Sequence, residues 1–227
     1  MSAAPELVAR EEDGIELSTL VWRYASPMRC VSTAAVGGGL VDCSWVVNAQ
    51  VPKGYHRDDL DAHGTEIAAG LDLDGIGVVM LTAVNVRSHH NASFEGANVT
   101  ATVGVNDPTW AADPSADSRR IRDAATSPVA TPGTVNVVVS LPEPVVPAGL
   151  INLVATVTEA KCQAFADFAV AGTGTPSDAV TVICPVDGDP HPYGGPRSLW
   201  GARVACAAYD AIIAGLRDER ERKLSPC

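Results

Sequence analysis

Residues 132–182 read PGTVNVVVSLPEPVVPAGLINLVATVTEAKCQAFADFAVAGTGTPSDAVTV, and this stretch decides the fold. It parses as strand, long helix, Gly/Thr-rich loop and strand. Val135, Val137, Val138 and Val139 form a β-branched run bounded by Pro132-Gly133 and Pro142, the pattern of a buried strand. Pro147 suits the first turn of a helix, where its missing N–H has no partner to lose. Leu150, Leu153, Val154, Val157, Ala164, Phe165 and Phe168 recur on one helical face. At about 100° per residue Lys161 falls in the middle of that face, whereas Glu159 falls on the polar side with Asn152, Thr156 and Gln163. The loop AGTGTPSD then carries Asp178 to the next β-branched run. A cation on an apolar face, beside a polar loop between two strands, is the leading site candidate.

The rest of the chain bounds the class. Its 227 residues are 46% hydrophobic and only 5% aromatic, so the core is built of Val, Ala, Leu and Ile. A net charge of −11 argues against nucleic acid or an anionic membrane surface as partner. No apolar run is read as a membrane span, and the acidic N-terminal stretch does not read as a secretory signal. The six cysteines are scattered without a C-x-x-C pair, which fits reduced thiols in a cytoplasmic protein and neither zinc nor disulfides.

Taken in order, residues 1–12 read as polar and mobile. Strands are expected near 15–24, 28–36, 41–51, 76–84, 97–105, 134–141 and 178–184. A short helix is expected over roughly 58–71, and main helices near 147–169 and 198–217. Ser26-Pro27 reads as a turn, and Gly37-Gly38-Gly39 as a hairpin turn or a close approach to a ligand. His89-His90 sits in what reads as a polar connection, its histidines solvated. The expected architecture is one α+β domain over 13–217, a largely antiparallel or mixed sheet packed by two main helices. A long polar insert occupies 106–131, and 218–227 is a solvated tail.

Several motifs resemble the CbiZ family of adenosylcobinamide amidohydrolases. They are AAVGGGL followed by VVNAQVP, then VVMLTAVNV, ATVGVNDP, GTVNVVVS, LINLVATVTEAKCQAF, GTGTPSDAVTV and YGGPRSLWGARV. The resemblance spans roughly Val31 to Leu216 and departs from the family at Pro176-Ser177 and in the 106–131 insert. It implies hydrolysis of the amide joining aminopropanol to the corrin ring, releasing adenosylcobyric acid for corrinoid salvage. The corrinoid is then a small-molecule substrate, with no resident cofactor, metal, nucleic acid or membrane implied.

Amide hydrolysis needs a nucleophile, an acid for the leaving amine and donors for the oxyanion. Asp178 or Glu159 is a candidate base for water, and Lys161 a candidate acid or oxyanion partner. Backbone N–H groups of Gly172, Thr173, Gly174 and Thr175, or of Gly37, Gly38 and Gly39, are candidate oxyanion donors. Thr173, Thr175 and Ser177 are alternative nucleophiles, although no G-x-S-x-G elbow is present. Asn48 and Asn136 read as buried strand amides, suited either to substrate amides or to neighbouring backbone. These groups are expected to converge on one pocket. Two other classes stay open at this point: a non-catalytic corrinoid-binding or carrier protein, and an interaction protein using the insert as its arm.

Overall fold

The computed structural model describes residues 4–113 and 133–225. The described residues contain eight strands: β1 (Glu6–Glu12), β2 (Ile15–Ser32), β3 (Gly39–Gln50), β4 (Gly77–Thr82), β5 (His89–Phe94), β6 (Ala97–Gly104), β7 (Thr134–Ser140) and β8 (Ala179–Cys184). Three α-helices accompany them among the described residues: α1 (Leu60–Gly70), α2 (Pro147–Asp167) and α3 (Leu199–Leu224). The strands form one mixed sheet in the order β4-β3-β2-β8-β7-β6-β5, with β1 added alongside β2. The neighbours β3/β4 and β7/β8 are parallel, and the other pairs antiparallel.

The sheet doubles over on itself at β2. This 18-residue strand pairs with β1 and β3 through its first half and with β3 and β8 through its second. The register breaks between Arg23 and Met28, the local irregularity that lets a long strand bend. Asn48 of β3 thereby meets Thr102 of β6 and Asn136 of β7, although β2 and β8 lie between them in the sheet order. The result is four layers. Ile67 and Ala68 of α1, with Leu71 just past its end, cover Val47 and Val79 on one outside. Leu20, Val46, Met80, Val138 and Ile183 fill the space between the two halves. Leu153, Val157, Phe165, Ala208 and Ile212 of α2 and α3 cover Val137, Val139 and Val182 on the other outside. The strict alternation along β7 sends Val135, Val137 and Val139 toward the helices and Asn136 and Val138 inward.

The expected single α+β domain is the observed class. Four local readings need correction. Residues 6–12 are an edge strand on β2, because Arg10 anchors there on Thr19 and on the Gln50 carbonyl. The two strands expected at 15–24 and 28–36 are one, Ser26-Pro27 being absorbed at the irregularity. His89-His90 opens β5 in place of a loop: a polar strand antiparallel to β6, turned at Glu95-Gly96 where both φ angles are positive. The last helix runs to Leu224, beyond the expected end near 217, because Glu219 is buried there. Its carboxylate accepts the Val105 N–H at 2.8 and 3.0 Å and pairs with Lys223 at 3.0 Å. By length and composition α3 is also apolar enough to cross a membrane, contrary to the sequence reading, and here its apolar face packs on β5, β6 and α2. Of the 106–131 insert, residues 114–131 lie outside the described residues, as does Cys227. Cys30, Cys43, Cys162, Cys184 and Cys206 are free thiols.

Candidate functional site

The β7–α2–β8 unit positions the groups that the sequence singles out. Lys161 lies on the buried stripe of α2 with its side chain 9% exposed, and its ammonium donates to Asp178 Oδ2. Asp178, immediately before β8, is similarly enclosed at 12%. Its carboxylate accepts three further hydrogen bonds: Val135 N–H at 2.8 Å, Thr175 N–H at 3.0 Å and Thr175 Oγ1 at 2.5 Å. Four donors match the roughly four lone-pair directions of a carboxylate. Asp178 therefore has no free acceptor direction with which to take a proton from water.

The oxyanion donors expected in the Gly/Thr loop are engaged in the same way. Gly172 N–H donates to Val170, Thr173 and Gly174 N–H to the Thr109 carbonyl, and Thr175 N–H to Asp178. Gly174 is glycine because its backbone lies directly on the ion pair: a Cβ there would stand 2.6 Å from Asp178 Oδ2 and 2.7 Å from Lys161 Nζ. Glu159 is exposed on the far side of α2 and does not join this assembly. Ser177 is exposed, and its hydroxyl is 2.8 Å from Thr134 Oγ1.

Asn48 and Asn136 do come together, but on the opposite face of β7, between the two halves of the sheet. Asn136 Nδ2 donates to Asn48 Oδ1 at 2.9 Å and to the Leu81 carbonyl at 3.2 Å, and Asn48 Nδ2 donates to Thr102 Oγ1 at 3.0 Å. Of the backbone partners expected for these amides, the Leu81 carbonyl is present, and their other partners are protein side chains. Asn136 Oδ1 is buried without a hydrogen bond. Gly37, Gly38 and Gly39 form the tight turn from β2 into β3 against the start of β4. At φ +67 a Cβ on Gly37 would stand 2.2 Å from the Gly77 carbonyl. The expected residues therefore occupy three places and not one pocket.

Three acid–histidine contacts escaped the sequence reading, the longest of them between His90 Nε2 and Asp218 Oδ2 at 3.4 Å, and the other two form clusters with further polar partners. His63 of α1 is 1% exposed; its Nδ1 is 2.7 Å from the Tyr55 hydroxyl, and its Nε2 faces Glu12 Oε1 at 3.2 Å without hydrogen-bond alignment. Burial pushes the Glu12 carboxyl up, but Arg10 and His63 together pull it further down, below its usual range. The second cluster lies beyond the carboxyl ends of β7 and β8. His191 Nε2 is 2.5 Å from Glu143 Oε2, which also accepts the indole N–H of buried Trp200 at 3.3 Å. His191 and Glu143 remain 31% and 52% exposed. A signal for this pair existed: parallel strands joined by a helix place ligands at their carboxyl ends, in the loops that follow the strands.

Comparison with known proteins decides the family. The family model described as adenosylcobinamide amidohydrolase matches residues 4–224. The chain belongs to this family. A relative from Halobacterium salinarum, named adenosylcobinamide amidohydrolase, is 33% identical over 187 residues, which are 81% of this chain and 78% of the relative. Among solved structures, a Burkholderia sp. β-aminopeptidase aligns over 93% of this chain and 82% of its own, at 15% identity and TM-score 0.46. A protein of Pyrococcus horikoshii OT3 aligns over 95% and 84%, at 10% identity and TM-score 0.47. As a member of its family the chain is an amidohydrolase acting on adenosylcobinamide.

Proposed function

We propose that this amidohydrolase cleaves the amide joining aminopropanol to the corrin ring of adenosylcobinamide, giving adenosylcobyric acid that re-enters corrinoid salvage. The family match over residues 4–224 carries this reading. The chemistry is hydrolysis: water adds to the amide carbonyl, the C–N bond breaks, and the amine departs with a proton. Incubating the protein with adenosylcobinamide and following products by mass spectrometry tests it. Adenosylcobyric acid and 1-amino-2-propanol in equal amounts are expected. Unchanged substrate, or cleavage at another amide, overturns it.

In this reading the Lys161–Asp178 assembly braces the β7–α2–β8 unit instead of reacting. All four hydrogen bonds to the carboxylate come from within the protein, and so do the bonds of the loop above it. Lys161→Met keeps the aliphatic stem while removing the charge. The expected result is a less stable protein whose folded fraction turns over adenosylcobinamide within about threefold of wild type, since such a brace supports no transition-state interaction. A well-folded variant slowed a thousandfold would return Lys161 to the reaction as acid or oxyanion partner.

A further inference from the structure

We infer that the reaction is carried out beyond the carboxyl ends of β7 and β8, with His191 as the proton-transfer group, Glu143 as the residue that positions it, and an adjoining amide-lined groove holding the corrinoid. The inference rests on the amidohydrolase reading and adds the place and the residues.

Four observations meet there. First, His191 and Glu143 are the closer and more open of the two partly exposed acid–histidine pairs, 31% and 52% exposed against 24% and 34% for His90 and Asp218, whereas His63 is buried and Asp178 has no open acceptor direction. A corrinoid is too bulky to reach an enclosed group, so exposure matters. Second, the pair is held firmly from several sides. His191 N–H donates to the Pro144 carbonyl and its own carbonyl accepts from Val146, tying the loop after β8 to the loop after β7. The Trp200 indole anchors the Glu143 carboxylate, and the His191 ring stands edge-on to that indole at 6.1 Å. Third, Glu143 binds Nε2, so the Nδ1 lone pair is left for substrate chemistry, the division of labour in which a carboxylate fixes the tautomer of a catalytic imidazole.

Fourth, a cavity of about 260 Å³ opens between β2 and the inward face of β5–β6–β7. Asn91, Asn98, Thr100 and Ser140 line it opposite Trp22. Asn91 Oδ1 accepts from Thr100 and Asn98 Nδ2 donates to the Gly96 carbonyl, which leaves the Asn91 amide donors and the Asn98 carbonyl facing the groove. Paired donors and acceptors of this kind suit the carboxamides on a corrin rim, or the edge of an adenine. Gly96 stands between the groove and the pair: its carbonyl accepts from Asn98 of the groove, and a Cβ built on it would stand 3.6 Å from the Trp200 ring and 3.7 Å from Pro142. The N-terminus of α3, capped by Ser198, brings the positive end of a 26-residue helix to the same surface, favourable to a developing oxyanion.

The step balances simply. His191 Nδ1 takes a proton from water as its oxygen bonds to the amide carbon. The resulting imidazolium returns that proton to the nitrogen as the C–N bond breaks, leaving carboxylic acid and amine.

The experiment measures steady-state hydrolysis of adenosylcobinamide by wild type, His191→Ala, Glu143→Gln and Asn91→Ala/Asn98→Ala, with thermal melting of each. His191→Ala should lower kcat roughly 10²–10⁴-fold with little change in KM and Tm, and added imidazole should restore part of it. Glu143→Gln should lower kcat about tenfold or more, while Glu143→Asp recovers part of that loss, as expected of a positioning residue. The double Asn variant should raise KM about tenfold at unchanged kcat. Repeating it with cyanocobinamide separates the sources: an adenine contact loses the effect, and a carboxamide contact keeps it. Wild type without turnover sinks the amidohydrolase reading itself. Wild-type turnover with a His191→Ala enzyme of undiminished kcat overturns the present inference alone. So does a kcat loss that comes with a collapsed Tm and no response to imidazole.

Discussion

Asp178→Ala is expected to lower folding stability by about 3–5 kcal/mol, the usual cost of stranding one partner of a buried ion pair. The Lys161 ammonium, 9% exposed, would lose its carboxylate, and the Val135 and Thr175 N–H groups would lose their acceptor. The losses are coupled because one carboxylate joins α2, β7, β8 and the Gly/Thr loop. Lys161→Met/Asp178→Leu should recover much of the stability, since an apolar pair of similar volume removes the uncompensated charge. Urea denaturation of Lys161→Met, Asp178→Leu and the double variant closes the cycle. Strictly additive destabilisation would mean that the two side chains do not depend on each other, contrary to the geometry.

Gly194→Ala should have the second large effect. A Cβ at this position would lie 2.0 Å from the Gly149 carbonyl oxygen and 2.8 Å from Leu153 Cγ, inside the first turns of α2. Neither contact can be relieved by rotating the new methyl group, and the first involves backbone. The loop must move off the helix, at a cost of about 1–3 kcal/mol for an overfilled contact. His191 is three residues upstream on that loop, so its imidazole should shift away from Glu143. A displacement of about 1 Å can lower turnover roughly a hundredfold. Calorimetry and kcat/KM on the same preparation measure both effects. Loss of stability with fully retained turnover would show that the reacting group is not carried by this loop.

The β7–α2–β8 unit was legible because its signals are local. A valine run between prolines, a stripe at 100° intervals and a glycine-rich loop each lie within a short window. The burial of Lys161 and of both asparagines followed from the same periodicities. The roles did not, because hydrogen-bond saturation is a property of space. Nothing near Asp178 in sequence reveals that Val135 N–H, 43 residues away, takes one of its oxygens. Likewise β5 hides as a polar stretch, since Asn91 and Ser93 line an open groove instead of a core. The helical end of α3 looked like a charged tail because its buried Glu219 is held by Val105, 114 residues upstream. His191 sits among prolines and glycines whose regular turn chemistry masked a pairing with Glu143 across 48 residues.

The bend of the sheet at β2 sets an order of events on the ribosome. The second half of β2 pairs with β8, and Ser32 meets Thr181 across 149 residues. At roughly 5–20 residues per second, that edge of β2 waits about 8–30 seconds for its neighbour to be synthesised. Until then an unpaired strand border, Arg29 to Ser32, is open to other nascent chains. Yield in a fast-translating host should therefore respond more to temperature and chaperone supply than to any surface substitution.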